Sequence, residues 1–182
     1  MGFYNDKIVP RLVTCACGTK PILKQREKVV PQAQGNVLEI GMGAGHNLPY
    51  YDPQRVQSIV GIDPCQTSWR MAASRAAQVG VPLDFVEGSA EKMPLPDAQF
   101  DTVLMTFSLC TIPDGHAALA EIGRVLKPGG SLVFASMARH PIPALQAGKN
   151  VSTLCGDDFS VAVILIGPLL NGSRARALRY SS

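Results

Sequence analysis

The sequence predicts an α/β protein built on a doubly wound, mostly parallel Rossmann-like sheet. Three observations carry that prediction. Five apolar runs of strand length recur between Val37 and Ala135. Helical stretches intervene, at Thr67–Val79 and Gly115–Leu126. A glycine-rich turn, Gly41-Met42-Gly43-Ala44-Gly45, directly follows the first run. Sheets of this kind bind ligands beyond the carboxyl ends of their strands.

The elements follow in order. Residues 1–35 hold no convincing strand. Phe3, Tyr4, Ile8, Leu12 and Val13 suggest a short amphipathic helix. A second helix follows Pro21, with Ile22, Leu23, Val29 and Val30 inward and Lys24, Arg26 and Lys28 outward. This N-terminal helical cap either closes a cofactor site or covers a sheet face. The cofactor-binding core spans 36–136. In its first strand, Val37–Ile40, the residues Val37, Leu38 and Ile40 supply the apolar run of a strand buried on both faces, with Glu39 the acidic exception. Ser58–Ile62 is the second, and Thr67–Val79 then places Trp69, Met71, Ala72, Ala73, Ala76 and Ala77 at helical spacing. Leu83–Val86 and Phe100–Met105 are the third and fourth strands. In Gly115–Leu126 the residues Ala118, Leu119, Ile122, Val125 and Leu126 share one helical face. Lys127-Pro128-Gly129-Gly130 stops that helix and leads into the strand Ser131–Ala135. Beyond it, Pro141, Pro143 and Gly148 break any helix, and only Ser160–Ile166 reads as a strand. Segment 137–182 is therefore expected to be divergent and incomplete, with an uncovered sheet edge.

At 182 residues the chain is most simply one domain, 1–182, large enough to bury a real core. Its 46% hydrophobic and 17% charged residues exclude a disordered chain. A net charge of +3 is too small to argue for a nucleic-acid partner. Arg174, Arg176 and Arg179 read as a solvated tail. The five cysteines are irregularly spaced, and Cys15-Ala16-Cys17 lacks a second pair at zinc spacing, so no metal is expected. The start carries no apolar signal core, and the run from Val161 to Leu170 is far too short to span a membrane. A soluble, cytoplasmic protein is expected. The apolar positions from Phe3 to Leu12 are compatible with a hydrophobic acceptor or peripheral membrane contact.

Three motifs bear on the ligand. A nicotinamide-binding turn spaces its glycines Gly-x-Gly-x-x-Gly, whereas here they stand at 41, 43 and 45 with His46 next. Glu39 lies two residues before the first glycine, where a pyrophosphate gains little from added negative charge. An acidic group there suits the cationic amino-acid part of S-adenosylmethionine better. Asp63, in Gly61-Ile62-Asp63-Pro64 after the second strand, is placed to accept ribose hydroxyls; alone, it reads equally as a turn Asp before Pro. The third motif is Gly88-Ser89-Ala90-Glu91 through Asp97, followed by Phe100-Asp101.

Taken with Leu126–Phe134, these motifs make the chain resemble a class I S-adenosylmethionine-dependent methyltransferase, of the type 11 group that includes quinone-biosynthesis and phospholipid methyltransferases. The resemblance covers roughly 100 residues, and no single motif carries it. It implies that Glu39, Gly41, Gly43 and Gly45 hold the methionine moiety and that Asp63 and Pro64 take the ribose. It places Ser89 and Ala90 along the adenine, with its exocyclic amine near Ser89 or Glu91. Many relatives have Asp at the position of Ser89. Thr106 and Phe107 approach the cofactor and the acceptor. The implied reaction is methyl transfer to a small-molecule or lipid-like acceptor, with no residue assigned as a general base. His46 reads as a helix-opening or pocket-lining residue, Cys110 as a structural thiol, and Tyr50 and Tyr51 as packing the helix expected after the glycine turn. The expected C-terminal departure leaves open a cofactor-binding protein with impaired catalysis. An NAD(P)-dependent oxidoreductase on a similar sheet is the remaining alternative.

Overall fold

The computed structural model describes residues 19–136, 152–156 and 159–165. Helix α1 (Lys20–Val29) precedes strand β1 (Gly35–Ile40). Strand β2 (Val56–Asp63), helix α2 (Gln66–Ala76) and strand β3 (Leu83–Glu87) follow. Strand β4 (Phe100–Thr106), helix α3 (Gly115–Val125) and strand β5 (Leu126–Ser136) complete the parallel part. Strands β6 (Ser152–Gly156) and β7 (Phe159–Leu165) extend the sheet.

The sheet order is β3-β2-β1-β4-β5-β7-β6. Pairing is parallel from β3 through β5, while β7 runs antiparallel to both β5 and β6. Among the described residues two strands follow Ser136, β6 as well as the expected one near Ser160–Ile166. The segment Ser152–Gly156 was missed because Ser152, Thr153 and Gly156 dilute its apolar character; its pairing with β7 supplies what its composition does not. The expected helix at Phe3–Val13, the Cys15-Ala16-Cys17 pair and the arginines beyond 173 lie outside the described residues.

Side chains alternate across a strand, and two cores result. Leu38 and Ile40 of β1, with Val103 and Met105 of β4, face α3 and pack against Ala118, Ile122 and Val125. Val37 and Leu104 face the other way, toward Ile22, Val29 and Val30 of α1 and its end. The same alternation sends Glu39 and Thr106 to the α1 face, where both are buried. Asp114 caps α3, accepting from the N–H groups of His116 and Ala117 at 3.0 Å each. No helix among the described residues is long and apolar enough to cross a membrane.

Candidate functional site

The strand order reverses between β1 and β4, and a cleft of about 570 Å³ opens there along the carboxyl ends of the strands. That volume lies in the range of small-ligand sites. Because the order is β3-β2-β1-β4, the loops after these strands lie in a row. The row runs from Ser89 and Glu91 after β3, through Asp63 at the end of β2 and the glycine turn after β1, to Thr106 and Phe107 at β4.

Beneath the glycine turn lies a buried polar network. Arg26 of α1 donates from Nη1 to Asn47 Oδ1 at 2.6 Å and to Thr106 Oγ1 at 2.7 Å. Asn47 Nδ2 donates to Thr106 Oγ1 and to Glu39 Oε1, both at 2.9 Å. The Tyr51 hydroxyl donates to the other carboxylate oxygen of Glu39 at 2.7 Å. Arg26, Glu39 and Asn47 are 5%, 1% and 1% exposed. Burial pushes the Glu39 carboxyl up to about 7, against the opposing pull of the Tyr51 hydrogen bond and the Arg26 charge. Burial, with the adjoining Glu39 charge, also pushes the Tyr51 phenol well up.

Arg26 corrects the outward assignment made from its charge. It occupies the i+4 position from Ile22 and the i−3 position from Val29, inside the apolar stripe of α1. That spacing is the signal that could have found it. Its guanidinium reaches the cleft and lies 5.1 Å from the centre of the Phe107 ring. Phe107 itself has φ +58°, a left-handed conformation costly for a bulky residue. Its N–H, donated to the Ala135 carbonyl at 2.8 Å, helps to hold it.

The three glycines differ in what they leave room for. A Cβ on Gly45 would come within 2.7 Å of Leu48 Cδ1 and 2.9 Å of Ala72 Cβ, so its bareness serves packing against α2. One on Gly41 would strike Ser108 Cβ at 2.5 Å. Gly43, at φ +51°, faces nothing nearer than the Gly41 carbonyl at 3.9 Å. Only there does the missing side chain leave open cleft. The turn leads into a single 3₁₀ turn, Leu48–Tyr50, not an α-helix. The Gly43 N–H donates to Asp63 Oδ2 at 2.9 Å, and the Cys65 N–H to Oδ1 at 2.8 Å. Each oxygen of Asp63 keeps a further lone pair. Burial pushes this carboxyl up, opposed by the two backbone hydrogen bonds.

At the β3 end the Ser89 hydroxyl donates to Glu91 Oε2 at 2.7 Å and accepts from the Glu91 N–H at 3.2 Å. Glu91 Oε1 accepts from the Asp114 N–H at 2.7 Å. Behind them Glu121 Oε2 accepts from the Met93 N–H, and Arg124 binds Glu121, Asp97 and the carbonyls of Met93 and Leu95.

Of the residues expected at the site, Gly41, Gly43, Asp63, Pro64, Ser89, Ala90, Glu91, Thr106 and Phe107 line this one cleft. Glu39 and Gly45 do not. Glu39 sits behind the turn with both carboxylate oxygens hydrogen bonded, so it shapes the cleft through Asn47 and Tyr51 rather than from its wall. His46 lines the cleft, whereas Tyr51 is part of the buried network. Sequence reasoning missed Arg26 and Asn47.

Comparison with known proteins agrees with this architecture. Residues 38–134 match the family described as a methyltransferase domain. The chain is similar to an uncharacterised methyltransferase of Bacillus subtilis, YcgJ, at 36% identity over 120 residues, covering 65% of this chain and 47% of that protein. It is also similar to a phosphatidylethanolamine N-methyltransferase of Cereibacter sphaeroides, at 32% identity over 144 residues, covering 75% of this chain and 70% of that one. The fold matches a crystal structure of a methyltransferase from Aquifex aeolicus with a TM-score of 0.69 at 21% identity, covering 86% of this chain and 98% of the other. The chain spans less than half the length of the first of these relatives.

Proposed function

This chain belongs to the methyltransferase domain family, and from that premise we propose that it transfers a methyl group from S-adenosylmethionine to a small-molecule or lipid-like acceptor. The observation that carries the reading is the row of chemically distinct groups along one cleft. A cation, Arg26, stands at the β1–β4 end; an acid with spare lone pairs, Asp63, terminates β2; a hydroxyl–carboxylate couple, Ser89 and Glu91, follows β3. S-adenosylmethionine carries matching groups in the same sequence: a carboxylate, a ribose diol and an adenine. Neighbouring strands lie about 4.8 Å apart, so a row of four strand ends suits an extended nucleoside–amino acid molecule.

In this reading Arg26 pairs with the amino-acid carboxylate as a charge-assisted partner, Asp63 accepts from the ribose, and the open face of Gly43 lets the molecule lie against backbone. When bound, the sulfonium supplies an already activated methyl group. The protein then contributes position and exclusion of water, so no catalytic dyad is required. Thr106, fixed by Arg26 and Asn47, and Phe107 form the wall from which an acceptor approaches. The similarity to a phosphatidylethanolamine N-methyltransferase supports beginning an acceptor screen with amine-bearing lipids.

Calorimetry with S-adenosylmethionine, S-adenosylhomocysteine and NAD tests the cofactor. Binding of NAD with no response to the two sulfur ligands overturns the proposal. Asp63→Ala is expected to weaken S-adenosylhomocysteine by roughly ten- to a hundredfold, the scale of a charge-assisted hydrogen-bond pair; unchanged affinity removes Asp63 from the site.

A further inference from the structure

We infer that Glu91 is a positioning residue that acts through Ser89 to make this end of the cleft accept an exocyclic amine and reject a carbonyl. The inference rests on reading the cleft as an S-adenosylmethionine site and concerns how its adenine is told from other bases.

The argument is a count of protons and lone pairs. A hydroxyl has one proton and two lone pairs, and on its own rotates to donate or accept as the ligand demands. The Ser89 hydroxyl has no such freedom. Glu91 Oε2 stands 2.7 Å from it, and a carboxylate can only accept, so the serine proton is committed to Glu91. One serine lone pair takes the Glu91 N–H at 3.2 Å. What remains to a ligand is one lone pair, on an oxygen made a stronger acceptor by the carboxylate behind it. A base presenting an amine satisfies that lone pair. A base presenting a carbonyl sets acceptor against acceptor, and sites built to hydrogen-bond one group discriminate strongly against its absence.

Glu91 is itself held in orientation. Its other oxygen accepts from the Asp114 N–H at 2.7 Å, and Asp114 caps helix α3. Both oxygens therefore accept, one of them from a backbone N–H that can only donate, which is a task for a carboxylate and not for an amide. In Glu91→Gln only one oxygen remains. The Asp114 N–H, fixed by the start of α3, claims it, and the new NH₂ faces Ser89 and turns the serine proton toward the cleft. Selectivity then reverses in sense. In Ser89→Asp a carboxylate faces the cleft directly, and selectivity for the amine returns without the couple.

The test measures the affinities of S-adenosylhomocysteine and S-inosylhomocysteine, which differ in amine against carbonyl, for the full chain and its variants. The wild type is expected to prefer the adenosyl ligand by about tenfold or more, the scale of leaving one acceptor unpaired. Glu91→Gln is expected to erase or invert that ratio, chiefly by raising inosyl affinity, a gain that a merely structural role does not produce. Ser89→Asp keeps the adenosyl preference, and Ser89→Ala binds the two ligands alike. A Glu91→Gln variant that binds with an unchanged ratio overturns the inference. Should that variant not fold, a Ser89→Ala variant retaining the wild-type ratio overturns it equally. A wild type that binds neither nucleoside sinks the cofactor reading itself, a result distinct from the loss of the Glu91 role.

Discussion

Behind the two ends of the cleft stand two charged networks that use the same kinds of group under opposite conditions. At the β1–β4 end, Arg26 and Glu39 are 5% and 1% exposed and are linked through Asn47, with Thr106 bonded to Arg26 and Tyr51 to Glu39. At the β3 end, Arg124 pairs with Glu121 and Asp97, with side chains 30%, 20% and 76% exposed. Burial has moved the first carboxyl up to about 7, while Arg124 holds the carboxyl of Glu121 down to about 2. The contrast teaches that proximity of opposite charges does not set their worth. Desolvation does, and it makes one end brittle and the other tolerant.

Arg26→Met is expected to have the largest effect on the fold. It leaves the buried Glu39 carboxyl and Asn47 Oδ1 without the cation, at a cost of about 3 kcal/mol or more, the scale of a broken buried pair. Urea denaturation at pH 8 measures it. Near pH 5 the loss should shrink, since a protonated Glu39 no longer needs the cation. A loss no greater than that of Lys24→Ala, an exposed neighbour on the same helix, would erase the distinction between the two ends.

The pH dependence is the next largest effect, and its sign differs between the ends. Glu39 ionises near its ordinary 4.5 when unfolded and near 7 when folded, so between these values the native state holds the extra proton. Its contribution is full below 4.5 and lost as pH rises to about 7, on the order of 3 kcal/mol in all. Glu121 behaves oppositely. Its folded carboxyl is depressed, so its contribution is present above 4.5 and lost as pH falls toward 2. Glu39→Gln should flatten the stability profile between pH 5 and 7 while leaving the acid limb in place. A profile unchanged in that window means that the buried network does not strain Glu39.

The buried end was also the less legible in the sequence. Strands β1 and β4 announce themselves because a parallel strand covered on both faces is mostly apolar, and α3 begins at Gly115 as its periodicity predicts. The glycine turn, Asp63 and Ser89-Ala90-Glu91 were found because local motifs mark them, and the sheet order brings them to one cleft. Arg26 was not found. Its partners Asn47 and Thr106 stand 21 and 80 residues away, and a lone arginine between Lys24 and Lys28 reads as solvated unless its place in the Ile22–Val29 stripe is weighed above its charge. The packing role of Gly45 is hidden in the same way. Its neighbours Leu48 and Ala72 are packing partners that only the fold supplies. Pairwise chemistry between distant segments is what sequence periodicity does not encode.

The smallest effect is expected at the exposed end, and it sharpens the comparison most because it uses a similar cation. Arg124→Ala removes contacts to Glu121 and Asp97 and to the carbonyls of Met93 and Leu95. Water reaches these groups and rehydrates them, so the loss should be about 1 kcal/mol or less and should fall further in 0.5 M salt. Arg26→Met, shielded from ions, should show no such salt dependence. Equal salt sensitivity of the two variants, read from their denaturation midpoints, would mean that water reaches Glu39 as freely as Glu121, and desolvation would then no longer explain why their carboxyls are displaced in opposite directions.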